Sequence, residues 1–338
     1  MESDRARFRR DGRMTLPLRI LMTPAAVRQA GNGLAEALGG GAHVVVAAGD
    51  DADVAFVSRD VTGLSTKHQV LPETQRFHDA MRNAPSLRWV HAHSAGADRP
   101  VYGELRARGV EVTTSSGANA SVVVQTALAG VLMLARCFPQ LLAAQRARTW
   151  APLVGSGMPR DLAGQTAVIV GWGPIGQGLG ALLSALGLHV ASVRSSAGAP
   201  TAPAAESVRF EDIHNVLPRA DWLLLACPLT DRTRGLVDAA ALALLPPGAR
   251  LVNVSRGEVV DEPALIDALR AGALSGAYLD VFAHEPLPAD SPLWDMPNVI
   301  VTPHTAGHSD GNEARVAALF LDNLRRWHAG QPLLNRVA

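Results

Sequence analysis

With 338 residues, 48% of them hydrophobic and 18% charged, the chain has the composition of a folded protein of about two domains, which excludes a disordered one. Its 31 basic and 31 acidic residues cancel, leaving no basic excess to hold a nucleic-acid backbone. Lys67 is the one lysine, and the predominance of arginine reads as coding bias before any function.

In chain order, residues 18–22 are an apolar run between Pro17 and Pro24 and predict a strand, with a helical pattern following to residue 38. Strands are expected at 43–46 and 53–58, and a helix at 72–83 with Pro72 in its first position. A strand at 87–91, a Gly-bearing loop at 94–98, a helix at 102–108 stopped by Gly109 and a strand at 110–114 complete a first series. This alternation predicts a parallel sheet with helices on both faces. Residues 119–136 differ, being almost wholly apolar behind Asn119, a candidate N-cap. A helix this apolar is expected to be buried on most of its sides, and a domain boundary is placed just before it.

A second series then runs through strands at 166–170, 188–193, 221–226, 250–254, 274–279 and 299–301. Helices are expected at 174–186, 211–217, 238–244, 262–271 and 313–328. The stretches 195–205 and 286–297 read as loops. Residues 1–13 are charged and lack the apolar core of a signal peptide, and no apolar run reaches about 18 residues. The expectation is a cytoplasmic protein with neither membrane nor nucleic acid among its partners.

The strongest local signal is Gly171-Trp172-Gly173-Pro174-Ile175-Gly176, which follows an apolar strand and opens a helix. In that setting Gly171 allows a tight turn, Gly173 lets the backbone approach a pyrophosphate, and Gly176 lets helix and strand pack closely. The helix N-terminus offers N–H groups and a positive dipole end to the phosphates. At the end of the next strand, where an NAD site places a carboxylate, stand Arg194, Ser195 and Ser196. A guanidinium there suits a 2′-phosphate, so NADP(H) is the expected cofactor, with NAD(H) possible.

Three more residues stand beyond strands of this series: Arg256, Glu285 and His304. In parallel α/β sheets ligands lie outside the carboxyl ends of the strands, so the three converge on the edge where a nicotinamide belongs. Together they suit reduction of a carbonyl beside a carboxylate. Arginine forks the carboxylate and keto oxygens. An imidazolium donates the proton that the forming alkoxide needs. A carboxylate orients the ring and favours its protonated form. The substrate class is a 2-oxo acid or its 2-hydroxy acid. Cys137 and Cys227 are too few for a disulfide framework and are expected to pack inertly. His91, His93, His284 and His308 read as packing or rim residues, and Trp150 and Trp294 as packing. No metal-ligand spacing occurs, so no metal is expected.

Several segments extend this reading: Ser94-Ala95-Gly96-Ala97-Asp98, the Gly171 turn, Cys227-Pro228-Leu229-Thr230 with Thr233-Arg234-Gly235-Leu236, and Asn253-Val254-Ser255-Arg256-Gly257. Leu279-Asp280-Val281-Phe282, Glu285-Pro286-Leu287-Pro288 and Thr302-Pro303-His304 complete the set. In these the chain resembles the D-isomer-specific 2-hydroxyacid dehydrogenases, and in Arg194-Ser195 their NADPH-preferring glyoxylate/hydroxypyruvate reductase branch. The resemblance implies an α/β fold of two Rossmann-like or flavodoxin-like domains with parallel sheets and a cleft between them. The substrate-binding domain would be residues 1–116 with 308–338, and the dinucleotide domain residues 117–307.

The resemblance further implies that Arg256 binds substrate carboxylate and carbonyl, that Glu285 and His304 form the acid–base pair, and that Ser94, Ala95 and Gly96 also hold the carboxylate. Pro174 and Ile175 would line the pyrophosphate, Cys227 and Pro228 the adenine half, and Asp280 the nicotinamide amide. Thr233, Val254 and Ser255 would be further cofactor-binding positions. A homodimer through the cofactor domains is implied, which fits the apolar stretch 119–136. Two departures stand out: Pro174 replaces an Arg or another polar residue, and Gln125 a frequent Glu. Rival readings are a phosphoglycerate dehydrogenase, which needs extra basic residues for its phosphate, and a dinucleotide-sensing corepressor-like binding protein. A formate dehydrogenase is disfavoured because Glu285 stands where that branch carries Gln.

Overall fold

The computed structural model describes residues 16–196 and 198–337, apart from the side chain of residue 156; the charged stretch 1–13 lies outside them. The chain divides into two compact units. One runs up to Ala118 and resumes at Asp310; the other is Asn119–Ser309.

The first unit is a five-stranded parallel sheet of β1 (Leu18–Leu21), β2 (His43–Val46), β3 (Val54–Val57), β4 (Trp89–Ala92) and β5 (Glu111–Thr114), in the order 2-1-3-4-5. The apolar run of β3 and the strand β4, apolar except for His91, are buried on both faces, as a parallel sheet requires. The helix Asn312–His328 returns to cover one face, with Phe320 stacked 4.4 Å from Phe56 and 5.6 Å from Trp89. The helical pattern ending at residue 38 is split into Pro24–Ala30 and Gly33–Ala37, because Gly31 takes a φ of +51°.

The second unit is a seven-stranded parallel sheet: β6 (Thr166–Val170), β7 (His189–Arg194), β8 (Glu206–Arg209), β9 (Trp222–Leu225), β10 (Ala249–Asn253), β11 (Leu274–Leu279) and β12 (Val299–Val301), in the order 12-11-10-9-6-7-8. The order reverses at β6, with β7 on one side and β9 on the other, so β6 ends at a topological switch point. The expected α/β architecture with two parallel sheets is the observed one.

The helix Ala120–Ala135 packs one face on this sheet through Val124, Ala127, Val131 and Leu134. Gly130 is glycine for a reason: a Cβ there would lie 2.5 Å from the Tyr278 ring. The expectation of burial on most sides is corrected, since the opposite face leaves Leu132 exposed, followed by Phe138 and Leu142. Residues 211–217, expected as a helix, form the 3-10 turns Phe210–Asn215 and Leu217–Arg219, which Pro218 keeps from joining into one helix. No single helix among the described residues is long and apolar enough to cross a membrane. Ala120–Ala135 with Phe138–Arg146 passes that test only as a pair bent by 70°.

Candidate active site

The glycine turn stands at the carboxyl end of β6. Gly171 has a φ of +99°, and a Cβ on it would lie 2.6 Å from the Ala226 carbonyl oxygen. A Cβ on Gly176 would run into the carbonyl of Gly171, so the helix Pro174–Ala185 can start against the strand only with glycine there. Gly173, by contrast, has nothing within 4 Å of a would-be Cβ and is exposed at the helix N-terminus. Close packing behind and open space in front is the shape of a cradle for a pyrophosphate. Pro174 occupies the first helical turn at no hydrogen-bond cost, and Ile175 packs inward.

Arg194 ends β7 half-buried. Its Nη2 donates to the Ala199 carbonyl at 2.9 Å, while its Nε is buried with no hydrogen-bond partner. Ser195 and Ser196 follow, both exposed. Beyond β9, Cys227 is buried, and burial pushes its thiol up to about 12, so it is an inert neutral group hydrogen-bonded with Ser255. Pro228 is exposed, and its carbonyl accepts from the buried Thr233 hydroxyl at 2.7 Å, which ties down the turn.

The turn after β10 is built by a residue to which the sequence reading gave no role. The buried Asn253 accepts from Ser255 N and Oγ at 3.0 and 2.8 Å and donates to the Arg256 carbonyl at 3.1 Å. A buried Asn at a strand end, followed by Ser at the second position, is the local signal of such a turn. It places Val254 and Ser255 in the interior and turns Arg256 outward, its Nη1 donating to the Ser255 carbonyl at 2.7 Å. A Cβ on Gly257 would strike the Phe282 and Ala283 backbone, so the Arg256 turn is pressed against the loop that carries Glu285.

His304 and Glu285 meet directly: Nδ1 lies 2.8 Å from Oε2. A carboxylate only accepts, so Nδ1 carries the hydrogen and Nε2 is the nitrogen presented outward. The other oxygen of Glu285 accepts from Phe282 N at 3.1 Å. Burial pushes the Glu285 carboxyl up, but the His304 hydrogen bond and charge, the Phe282 amide and the Arg256 charge together hold it below the ordinary range. His304 and Arg256 thus both act electrostatically on Glu285, and all three residues lie in one unit.

His304 has a φ of +52°, a conformation rare outside glycine. Asp280 is what holds it there. The Asp280 carbonyl accepts from His304 N at 2.8 Å. Its buried carboxylate accepts from Thr302 Oγ1 at 2.6 Å, Thr305 N at 2.9 Å and Ala306 N at 3.0 Å. Burial raises its pKa against these bonds. Thr302 in turn is 2.7 Å from the Tyr278 hydroxyl. Asp280 therefore spends both oxygens on the His304 loop.

Ser94, Ala95 and Gly96 belong to the other unit, where they follow β4; Ser94 Oγ donates to the Gly96 carbonyl at 2.6 Å. His91 lies in that unit's core between Thr113 and Ser115, and burial pushes it down to about 3. His93 bonds Thr62 Oγ1 at 2.8 Å. His284 and His308 are exposed. Trp294 is half-exposed and donates to the Pro288 carbonyl, whereas Trp150, expected to pack, is 94% exposed. Among the described residues no three His, Cys, Asp or Glu side chains gather as metal ligands.

A glycine cradle at the switch point of a parallel sheet, with an Arg, a Glu and a His at the same carboxyl edge, defines a dinucleotide-binding α/β protein. Residues 128–306 match the model of the D-isomer specific 2-hydroxyacid dehydrogenase NAD-binding domain. The chain is 34% identical over 287 residues to glyoxylate/hydroxypyruvate reductase B of Pectobacterium atrosepticum, covering 84% of this chain and 89% of that one. It is 35% identical over 253 residues to D-3-phosphoglycerate dehydrogenase of Mycobacterium leprae, covering 75% of this chain but only 47% of that protein, so it spans about half the length of that relative. A solved D-isomer specific 2-hydroxyacid dehydrogenase from Xanthobacter autotrophicus Py2, in complex with NADPH and MES, superposes with a TM-score of 0.75 at 30% identity, covering 95% of this chain and 98% of that one. The chain belongs to the D-isomer specific 2-hydroxyacid dehydrogenase family.

Proposed function

We propose that this protein reduces a small 2-oxo acid of the glyoxylate or hydroxypyruvate type to the D-2-hydroxy acid, with NADPH preferred over NADH. The observation that carries the reading is the His304–Glu285 pair at 2.8 Å beside Arg256 on the carboxyl edge of the glycine-turn sheet. Gly171, Gly173, Pro174, Ile175 and Gly176 would hold the pyrophosphate, and Cys227, Pro228, Thr233, Val254 and Ser255 the remainder of the dinucleotide. Arg194, with a buried Nε lacking any partner, and the two serines after it suit a 2′-phosphate. When bound, the nicotinamide supplies hydride to the substrate carbonyl carbon.

The protein's own groups do the rest. Arg256 offers a planar fork to carboxylate and carbonyl oxygen. His304 donates the Nε2 proton to the oxygen as negative charge develops on it, and Glu285 keeps Nδ1 protonated and the ring in place. The family resemblance assigns the backbone of Ser94, Ala95 and Gly96 to the carboxylate as well, and Asp280 keeps the His304 turn in register. A homodimer is the assembly we favour, supported by the exposed apolar residues Leu132, Phe138 and Leu142 on consecutive helices.

The test is a panel of 2-oxo acids, with glyoxylate, hydroxypyruvate and its 3-phosphate among them, scored by kcat/KM with NADPH and NADH. Highest kcat/KM for an unphosphorylated C2 or C3 oxo acid with NADPH is expected. No turnover of any 2-oxo acid, despite nucleotide binding, would reject the enzyme reading.

A further inference from the structure

Beside Arg194 the structure places a second guanidinium that arrives from a different element. Arg232 lies in the turn Thr230–Thr233, which the buried Thr233 hydroxyl locks through bonds with Pro228 O and Thr230 N. From there Arg232 Nη2 reaches back 37 positions and donates to the Ser195 carbonyl at 2.9 Å. Its Nε and Nη2 also donate to a single oxygen, Oε1 of Glu211, at 2.9 and 2.6 Å, and its guanidinium lies 5.5 Å from the Phe210 ring centroid. Arg194 meanwhile folds along its own loop, where a Cβ on Gly198 would lie 2.5 Å from its Nη2. Ser195, the residue after β7, thus follows one arginine in sequence and accepts from a second that arrives on a separate element.

We propose that Arg232 is a second specificity-determining cation for the 2′-phosphate of NADP(H), and that Glu211 is the internal anion it gives up when that phosphate binds. The proposal rests on the NADP(H) reading above. Three features favour it over an ordinary surface ion pair. Both side chains are about half exposed, at 46% and 50%, so the pair is weak and readily exchanged. Glu211 offers Arg232 one oxygen, whereas a phosphate offers three to a planar fork. The bond to the Ser195 carbonyl holds the Arg232 head at the strand end where the nucleotide's distinguishing group is read.

Equilibrium titration of the full chain without substrate separates the outcomes, using adenosine 2′,5′-bisphosphate against 5′-AMP, which differ only in the 2′-phosphate. The wild type is expected to favour the bisphosphate about tenfold or more, as a charge-assisted contact supplies. Arg232→Gln should cut that ratio roughly tenfold, Arg232→Lys should restore part of it, and Glu211→Gln should raise it a few-fold by removing the competing anion. A wild type without discrimination overturns the NADP(H) reading and this inference with it. A discriminating wild type whose ratio survives Arg232→Gln overturns this inference alone. Equal weakening of both ligands in Arg232→Gln also overturns it, because it marks Arg232 as a prop for the Ser195 loop.

Discussion

Asp280→Asn tests the claim that a buried carboxylate, acting through the backbone, positions the proton donor. The change is isosteric but exchanges one acceptor oxygen for an NH2 group. Asp280 Oδ1 serves Thr302 and the Thr305 amide, and Oδ2 serves the Ala306 amide. Whichever way the Asn amide turns, an NH2 faces a backbone N–H. The cost is one charge-assisted bond, about 1.5–3 kcal/mol, plus an unsatisfied buried donor at about 1–3 kcal/mol. Against it stands relief of burying the charge, the effect that raises the Asp280 pKa. A net loss of about 2–3 kcal/mol remains, concentrated on the His304 turn. By the rule of 1.4 kcal/mol per tenfold, opening of that turn should become about 30- to 150-fold more frequent. Amide hydrogen exchange at Thr305 and Ala306 reads this directly, and kcat should fall as His304 loses its fixed φ. Unchanged exchange at these two amides, together with unchanged kcat, would refute the reasoning.

Arg256→Lys keeps the charge but loses the fork, so KM for 2-oxo acids should rise and kcat fall, by at least about tenfold together in kcat/KM. Steady-state kinetics within twofold of wild type would remove Arg256 as the anchor. Because the folded Glu285 titrates below its unfolded value of about 4.3, its contribution is present above that pH and lost as the pH falls through the lower folded value. Glu285→Gln should therefore flatten the acid side of the unfolding profile below about pH 5 and lower kcat, and an identical acid limb in both proteins would count against the pairing. The buried His78, held down to about 4 chiefly by burial, takes up its proton on unfolding, so stability should fall as the pH drops from about 6.5 toward 4. Melting temperatures of His78→Gln should show a weaker decline over that window, and an unchanged slope would assign the acid loss to other groups.

The parts of the fold most legible in the sequence are those fixed by local chemistry. The apolar run Thr166–Val170 and the Pro-led helix Pro72–Asn83 are read at their observed bounds, because burial pattern and helix start are written into consecutive residues. Gly171 and Gly176 are legible for the same reason: the turn they make is only a few residues long. What the sequence does not convey is set by partners far along the chain. β8 is the polar edge segment Glu206–Arg209, with no apolar alternation to announce it, and it exists because β7 offers a free flank. The helix Phe138–Arg146 is separated from the long apolar helix before it by Cys137 at a φ of +55°, a left-handed step that the sequence does not show, although Pro139 marks the start of the second helix.

The site divides along the same line. That Arg256, Glu285 and His304 follow strands is readable, since a parallel sheet brings all its carboxyl ends to one edge. Which atoms meet is not, because it depends on Asn253 shaping one turn, Asp280 holding another, and Gly257 letting the two loops press together. None of these three touches a proton in the proposed reaction, yet each fixes a backbone whose displacement by about an ångström would separate donor from carbonyl. The chemistry is therefore carried by residue types that a strand-end pattern reveals. Its precision is carried by buried polar side chains and a glycine whose partners lie across the sheet, and those only the folded chain identifies.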